Sequence, residues 1–246
     1  MLRDYESFSS LSTYQRCGMQ YYFRYCEGIK VPPAVAMIQG SSVHVGLELN
    51  DKQKIDTHED VPVDDVVDAT ATEFDARAPE VEDWGGEDKC KAKDTAIKVA
   101  KIAREVLCPT YQPIECEERY EIEIASTRLL IIPDVVDDTG CIRDRKVVGK
   151  AKSQADADGS LQLTAYALGT GMKDVAFDCL VKSKEPKVVT LKSTRTDEHF
   201  RRFENLVPAL LTGIRKEIWL PADPTSWACS PKFCGYWNIC QYGGKK

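Results

Sequence analysis

The sequence predicts an α/β fold in which helices flank a mixed β-sheet. Over roughly the first 110 residues, apolar side chains recur every three or four positions, which is typical of amphipathic helices. From about Cys116 the period changes to two, which is typical of β-strands. A further helical stretch then separates the first strands from a hairpin, and a long helix follows. This order of elements favours helices packed against a sheet.

Several helices are predicted before the first strand. The opening region favours two short helices that meet near Cys17–Gly18, and the next helix is expected to begin near Ser41 or Ser42, either of which could cap it. An acidic helix should span about 63–78, and the stretch 93–107 is amphipathic. The residues of this last helix that we expect to face the core are Ile97, Ala100, Ile102 and Val106.

Alternating side chains predict strands in the second half of the chain. They are expected over residues 120–124, 128–136, 141–148, 175–182 and 187–193. A helix over 160–171 follows the third strand, and Gly169 or Gly171 would end it. A long helix from about Asp197 to Trp219 follows the last strand, before Pro221 breaks the chain.

The composition excludes some classes of protein. A net charge of −6 over 246 residues argues against bulk electrostatic capture of nucleic acid, although it is compatible with a local basic groove. No apolar run is long enough for a membrane span, and the N-terminus lacks the apolar core of a secretory signal, so we expect a cytoplasmic protein without membrane partners. Ten cysteines in such a protein favour metal ligation and buried thiols over a disulfide scaffold.

The predicted hairpin carries acidic residues on both strands. If Asp138–Gly140 forms a three-residue loop, with Gly140 in the left-handed conformation, Asp134 lies opposite Asp144 and Lys146 shares their face. The Cβ atoms of the two acids would then be about 5 Å apart. A four-residue loop would instead turn Asp134 to the other face.

Two interpretations of these acids are open. Acidic turns are common, so the hairpin could be exposed and its charges solvated. However, the flanking residues are apolar enough for a central strand, where two neighbouring carboxylates require a counter-charge. A divalent cation with oxygen ligands would supply that charge, and the nearby lysine could orient a water molecule or offset charge on a phosphate.

Three further sets of residues accompany Asp134, Asp144 and Lys146 of the hairpin: His44 of a Gly-x-x-x-His motif, Gln162 and Tyr166 of a Gln-x-x-x-Tyr motif, and Cys17, Cys229, Cys234 and Cys240. With these residues the sequence resembles the PD-(D/E)XK nucleases, and in particular their RecB-like, iron–sulfur-bearing branch, which includes AddB nuclease domains and CRISPR adaptation exonucleases. These matches extend over nearly the whole chain in the family's order. They imply a restriction-endonuclease-like core with a central mixed sheet flanked by helices.

The resemblance implies a divalent-metal-dependent deoxyribonuclease that acts in recombination, repair or DNA processing, with a phage-type nuclease among the alternatives. We expect an exonuclease on single-stranded or end-bearing DNA. The ligands of Mg²⁺ or Mn²⁺ would be His44, Asp134 and Asp144, and the other catalytic residues would be Lys146, Gln162 and Tyr166. Lys146 would position the attacking water, whereas the Gln-x-x-x-Tyr pair would contact the substrate strand or brace the site.

Several neighbouring residues have alternative roles in this scheme. Glu48 lies one helical turn from the motif histidine and would be an outer acid of the site or a solvated side chain. Lys150 and Lys152 could contact the DNA backbone or belong to a flexible loop. Pro133 and Arg145 depart from the family pattern, in which a glycine and an aromatic residue are common, and Arg145 should point away from the face of the acids.

The cysteine tail has the spacing Cys-x4-Cys-x5-Cys. With Cys17 as the fourth ligand, the resemblance implies a [4Fe-4S] cluster that joins the N-terminal helices to the C-terminal tail. Segments 1–30 and 221–246 would then form a subdomain of one nuclease domain, 1–246, whose central sheet spans 115–195. Cys26 is the competing fourth ligand, and a zinc ion or three unrelated thiols are the alternatives to a cluster.

A second function remains open. The chain could be a DNA-binding or assembly module that keeps the fold and the cluster but cleaves weakly or not at all. No Walker motif is present, so a helicase or recombination partner would have to be a separate chain.

Overall fold

The computed structural model describes residues 3–244, and the chain folds into two compact units. The terminal unit comprises Met1–Pro32, Tyr120–Ile131 and Phe200–Lys246, and the central unit comprises Pro33–Arg119 and Ile132–His199. Residues 1–2 and 245–246 lie outside the described range. They belong to the segments 1–30 and 221–246, which the sequence predicts to form a cysteine-bearing subdomain.

The elements alternate between the two units along the chain. The strands are β1 Tyr5–Ser7, β2 Pro113–Cys116, β3 Tyr120–Ile124, β4 Thr127–Ile131, β5 Val135–Asp137, β6 Ile142–Val148, β7 Asp174–Val181 and β8 Lys187–Thr194. The α-helices are α1 Phe8–Arg16, α2 Gly18–Tyr21, α3 Val35–Thr57, α4 Val63–Arg77, α5 Lys89–Ile102, α6 Gln154–Asp158, α7 Leu161–Thr170 and α8 Asp197–Arg215. Single π-helical turns extend α2 over Tyr22–Cys26 and α5 over Ala103–Leu107.

The central unit contains a five-stranded sheet in the order β2-β5-β6-β7-β8. Strands β6 and β7 run parallel, and the other neighbouring strands run antiparallel. Helices α3, α4 and α5 pack together in the same unit around buried side chains such as Leu47, Val66, Phe74 and Val99. The predicted α/β fold with a mixed sheet and flanking helices is therefore confirmed.

The terminal unit contains a separate three-stranded sheet in the order β1-β4-β3. The sequence predicts one strand over 128–136, whereas the structure divides that stretch into β4 and β5, which belong to different sheets. The division falls at Ile132–Asp134. Pro133 has no N–H to contribute to a ladder, which favours a strand boundary there over a continuous central strand.

The start of α3 differs from the predicted start. The helix begins at Val35, so Ser41 and Ser42 lie inside it and the prediction that either one caps it is wrong. Both hydroxyls donate to the carbonyl of Ile38, at 3.1 Å and 2.6 Å respectively. A serine that bonds back to its own helix in this way is compatible with an interior position, which the capping preference alone does not anticipate.

The buried face of α5 also differs from the predicted one. Val106 is 51% exposed, and Ile97 and Ile102 are only partly buried. The residues of this helix and its π-helical turn that are buried are Ala92, Ala96, Val99, Ala100, Ala103 and Leu107. Small alanines let α5 approach its neighbours closely, and the π-helical turn shifts the phase by one residue, so that Leu107 is buried in place of Val106.

The remaining predicted helices largely match. The acidic helix is α4, α1 and α2 meet at Cys17, and α7 ends at Gly171, whose φ of 76° is the left-handed conformation expected of a C-terminal cap. Helix α8 ends at Arg215, four residues before the predicted end, and Glu217 has a positive φ of 54°. None of the helices within residues 3–244 is both long enough and apolar enough to cross a membrane.

Gly46→Ala should destabilise the protein, because α3 passes very close to α4 at this position. A Cβ at residue 46 would lie 2.2 Å from Thr70 Oγ1 and 2.7 Å from the backbone oxygen of Val66. Such overpacking costs about 1–3 kcal/mol. Gly40 in the same helix has nothing within 4 Å of its would-be Cβ, so Gly40→Ala should be neutral or stabilise by up to about 1 kcal/mol. Urea unfolding compares the two variants, and equal midpoints would contradict the close approach.

Candidate active site

The β5–β6 hairpin has the predicted three-residue loop. Val135 pairs with Arg143, the N–H of Asp137 donates to the Cys141 carbonyl at 3.0 Å, and Gly140 has a φ of 78°. The Asp137 carboxylate supports the turn, because its Oδ1 accepts from the N–H of Cys141 at 3.0 Å. The register expected from the sequence is therefore confirmed, and it sets the positions of the acids that flank the paired residues.

Asp134 lies immediately before β5 and faces α3. Its Oδ2 accepts from the backbone N–H of Arg145 at 2.6 Å, and its Oδ1 lies 3.5 Å from His44 Nδ1. Burial alone would raise the pKa of Asp134, but the imidazole and the N–H donor outweigh it and hold the pKa below its usual value. The same interaction with Asp134 raises the pKa of His44, against the effect of burial. Two of the three predicted metal ligands thus contact each other directly.

Glu117 lies close to both of these residues, although no sequence pattern indicated it. One ligand atom each from His44, Glu117 and Asp134 lies within 4.8 Å of the other two. Glu117 follows β2 with a positive φ of 55°, and its N–H donates to the Asp134 carbonyl at 3.2 Å. Although the residue as a whole is exposed, partial burial of its carboxyl and the charge of Asp134 raise its pKa to about 7. It lies in a run of acids, Glu115–Glu118, within which sequence alone cannot single out one member.

Asp144 is buried on the next strand, at 1% exposure. Lys146 Nζ lies 2.5 Å from its Oδ2, so the ammonium is the charged partner of this oxygen. Burial raises the pKa of Asp144 to about 6; the Lys146 ammonium opposes this, whereas the Asp134 carboxylate adds to it. Asp144 is not part of the group formed by His44, Glu117 and Asp134. It presents a buried acceptor oxygen beside that group.

Gln162 and Tyr166 lie on α7 and reach Asp144 in series. Gln162 Nε2 donates to the Tyr166 hydroxyl at 2.7 Å, and that hydroxyl donates to Asp144 Oδ1 at 3.2 Å. The helical spacing of four residues places both side chains on one face, as expected. Ser160 caps the helix by accepting from the N–H of Leu163 at 3.2 Å. The structure therefore shows the Gln-x-x-x-Tyr pair in contact with Asp144 of β6.

Arg145 points to the opposite face from Asp144, as its position on the strand predicts. It is 2% exposed, and its guanidinium donates to Asp51 of α3 and to the Tyr111 hydroxyl. Asp51 and His44 lie on the same helix. The backbone of Arg145 therefore holds Asp134 while its side chain holds the helix that carries His44, a role that the sequence pattern did not reveal.

The residues with alternative predicted roles lie in different parts of the central unit. Glu48 pairs with Lys52 at 2.5 Å and is outside the His44 group within residues 3–244. Lys150 is exposed in the loop after β6. Lys152 Nζ lies 5.1 Å from the ring centre of Phe177, and Lys146 Nζ lies 5.9 Å from the same ring. Lys152 is thus close to the candidate site.

The four predicted cluster cysteines line one cavity of the terminal unit. They are Cys17, Cys229, Cys234 and Cys240. Burial and the three neighbouring sulfurs raise the pKa of the Cys229 thiol. Within residues 3–244, no three of these sulfurs lie within 4.8 Å of one another. Cys26 is not among the described residues that line the cavity.

The two groups of side chains offer different donors. The imidazole of His44 and the carboxylates of Glu117, Asp134 and Asp144 in the central unit suit a hard divalent cation such as Mg²⁺ or Mn²⁺. The four thiols in the terminal unit suit a softer metal. Both donor sets therefore fit the groups that the sequence implied.

A known protein family and two solved structures are similar to this chain. A family model described as the PD-(D/E)XK nuclease superfamily matches residues 6–241. A crystal structure of a Eubacterium rectale protein provisionally named an exonuclease matches with a TM-score of 0.62 and 16% identity, over 92% of this chain and 87% of that chain. The crystal structure of SSO0001 matches with a TM-score of 0.43 and 14% identity, over 80% of this chain and 97% of that chain.

No curated protein sequence matches the chain at a significant level. At 16% identity, the likeness to the Eubacterium rectale protein supports the fold alone. The family match, in contrast, spans nearly the whole sequence and includes the hairpin and both groups of donors. The chain belongs to the PD-(D/E)XK nuclease superfamily.

Proposed function

We propose that the protein hydrolyses phosphodiester bonds in DNA and uses Mg²⁺ or Mn²⁺ to do so. The observation that carries this proposal is the close grouping of His44, Glu117 and Asp134 beside the buried Asp144, which pairs with Lys146. Neighbouring carboxylates in a buried site repel one another, and a divalent cation would offset that repulsion. This grouping therefore favours a catalytic site over a solvated hairpin.

The side chains divide the work of hydrolysis. His44, Asp134 and Asp144 would hold the cation together with Glu117, and the cation when bound would polarise the phosphate and lower the pKa of a water molecule. The Lys146 ammonium lies on the Asp144 oxygen in this structure. With that oxygen occupied by a cation, Lys146 would be free to hold the attacking water and to offset charge on the phosphate oxygens.

Gln162 and Tyr166 brace the site in this scheme. Their serial hydrogen bonds end on Asp144 Oδ1, which directs Oδ2 towards the cation position. This arrangement supports bracing over the alternative of contact with the substrate strand. Arg145 contributes from the opposite face, because it links Asp134 to α3 and so limits the distance between Asp134 and His44.

We further propose that the enzyme is an exonuclease of the RecB-like type that acts on single-stranded or end-bearing DNA and leaves a 5′-phosphate. The complete motif set from His44 to Tyr166 supports this assignment. Recombination, repair or a related DNA-processing pathway would use such an activity, with any helicase supplied by a separate chain.

A [4Fe-4S] cluster is proposed for the four cysteines of the terminal unit. A single tetrahedral zinc ion with Zn–S bonds of about 2.3 Å needs sulfur atoms about 3.8 Å apart. The four cysteines line one cavity, which supports their acting as ligands of one group, and no three of the described sulfurs lie within 4.8 Å of one another. The cluster would connect Cys17 with the C-terminal tail and restrict the unfolded chain.

Lys146→Ala should abolish cation-dependent cleavage of DNA, lowering the rate about 10²- to 10³-fold, because it removes the positive charge from the reacting phosphate. End-labelled single- and double-stranded DNA is incubated with Mn²⁺, Mg²⁺ or EDTA, and the label position gives the polarity. Lys101→Ala, an exposed lysine of α5, is the matched control. If the wild type binds DNA but cuts no faster than Lys146→Ala, the protein is a binding or assembly module of the same fold.

Glu117→Gln should raise the Mn²⁺ concentration needed for half-maximal cleavage about 10- to 100-fold, because it removes a carboxylate from the cation group. The neighbouring Glu118→Gln changes the net charge equally but lies outside that group, so its titration should match the wild type. Metal titrations of the initial rate measure both variants. Coincident curves for the two variants would show that Glu117 does not hold the cation.

Anaerobically purified protein should contain about four iron atoms per chain and absorb broadly near 400 nm, as iron–sulfur clusters generally do. Cys17→Ser should lower the iron content. Cys26→Ser should leave the iron content unchanged, because Cys26 is not among the described residues that line the cavity. Iron and zinc are measured by elemental analysis of both variants. A colourless wild type that contains one zinc atom per chain would show that the four cysteines bind zinc and not an iron–sulfur cluster.

A further inference from the structure

Two stretches that supply most of the lining of the cysteine cavity contain no acidic residue, although Glu6, Glu27 and Asp223 flank them directly. The chain has 39 Asp and Glu among 246 residues and a net charge of −6, yet residues 7–26 and 224–246 contain none. The same two ranges hold basic residues, including Arg16, Arg24 and Lys232. This part of the terminal unit therefore has the opposite charge to the protein as a whole, which suits a polyanionic partner.

Three aromatic side chains are exposed within this basic region, and two of them, unlike Tyr242, lie outside the cysteine cavity. Trp227 is 62% exposed and Phe233 is 56% exposed, and their rings meet edge to face with centroids 5.6 Å apart. Neither ring lines the cysteine cavity. They are therefore available to a partner without being needed to enclose the thiols.

Each exposed ring has a cation beside it. The Arg16 guanidinium lies 5.9 Å from the ring centre of Trp227, and Lys232 Nζ lies 5.2 Å from that of Phe233. Isolated exposed aromatics are ordinary on protein surfaces. A pair of them with adjacent cations, within a stretch that has no acid from residue 224 onwards, has the composition of a surface that stacks bases and neutralises phosphates.

We propose that Trp227, Phe233, Arg16 and Lys232 form a binding surface for single-stranded nucleic acid; this inference rests on the proposed action on DNA. The two rings stack on unpaired bases, and the two cations contact the phosphates between them. An apolar protein partner would account for the exposed rings but not for the cations beside them or for the lack of acidic residues in the two ranges. A single strand of nucleic acid would contact both the rings and the cations.

Binding of a fluorescein-labelled oligothymidylate to the full chain tests the surface. Anisotropy is measured in EDTA, so that no cleavage interferes. The double variant Trp227→Ala/Phe233→Ala should bind about 10- to 100-fold more weakly than the wild type, as expected for loss of base stacking. Val106→Ala, at a 51% exposed apolar residue of the central unit, is the control and should bind normally. Equal affinity of the double variant and the wild type would overturn the proposal.

Two further variants separate stacking from charge. Trp227→Phe should retain binding within about threefold but lose most of the tryptophan quenching that the strand causes, because the stacked indole is gone. Arg16→Gln/Lys232→Gln should lower the salt slope of binding by about 1.4, since each single-strand phosphate contact contributes about 0.7. If blunt duplex DNA loses as much affinity as the oligothymidylate in the aromatic variant, the rings do not stack on bases and the proposal is wrong.

Hydrolysis of bis(p-nitrophenyl) phosphate with Mn²⁺ separates this inference from the proposed function. The small diester has no bases to stack, so the aromatic double variant should hydrolyse it at the wild-type rate. If the wild type itself fails to hydrolyse the diester and DNA, the catalytic proposal fails while the binding measurements in EDTA still decide the surface. Matched thermal unfolding and iron content of the variants would show that the terminal unit remains folded.

Discussion

Gly140 closes the β5–β6 hairpin in a conformation that other residues rarely adopt, and this closure determines which side chains meet at the candidate site. With φ at 78°, the loop has three residues and Val135 pairs with Arg143. Because side chains alternate along a strand, a slip of one residue would exchange the two faces of β6. Asp144 and Lys146 would then lie on the face now used by Arg145.

The alternation on β6 requires partners on both faces, and the fold provides them from different elements. Arg143 is held by Asp137 at 2.9 Å and by Asp178 of β7 at 3.0 Å, and Arg145 is held by Asp51. Each buried cation is thus paired, which avoids a desolvation cost of several kcal/mol per ion. Asp144 pairs with Lys146 at 2.5 Å, but the Asp134 carboxylate beside it adds to the rise of its pKa. The neighbouring carboxylates therefore make this face of β6 the one suited to a bound cation.

The sequence was sufficient where local chemistry alone decides the structure. The three-residue loop follows from Gly140, and the end of α7 follows from Gly171, because both positions require a left-handed backbone. The predicted helical spacing also agrees with the structure at Gln162 and Tyr166, whose side chains share one face of α7 and are hydrogen-bonded to each other. These elements depend little on distant contacts.

Prediction failed where tertiary packing decides. Val106 is more apolar than Ala103, yet the close contacts of α5 select the small residue and leave Val106 exposed. Glu117 reaches the site only because β2 pairs with β5 and brings its N–H to Asp134. Arg145 finds Asp51 across 94 residues of chain. Such long-range pairings have no periodic signal in a single sequence.

Net charge is a poor guide to what this protein binds, because its acids and bases are unevenly distributed. The total of −6 argues against a bulk affinity for nucleic acid, but residues 7–26 and 224–246 contribute none of the 39 acids. Salt screens charges beyond about 8 Å at physiological ionic strength, so a strand at this surface would respond mainly to the nearby cations and rings. The acidic remainder of the chain would instead repel DNA from non-productive faces. An acidic nuclease with a local basic and aromatic surface can therefore retain selectivity that a uniformly basic protein would lose.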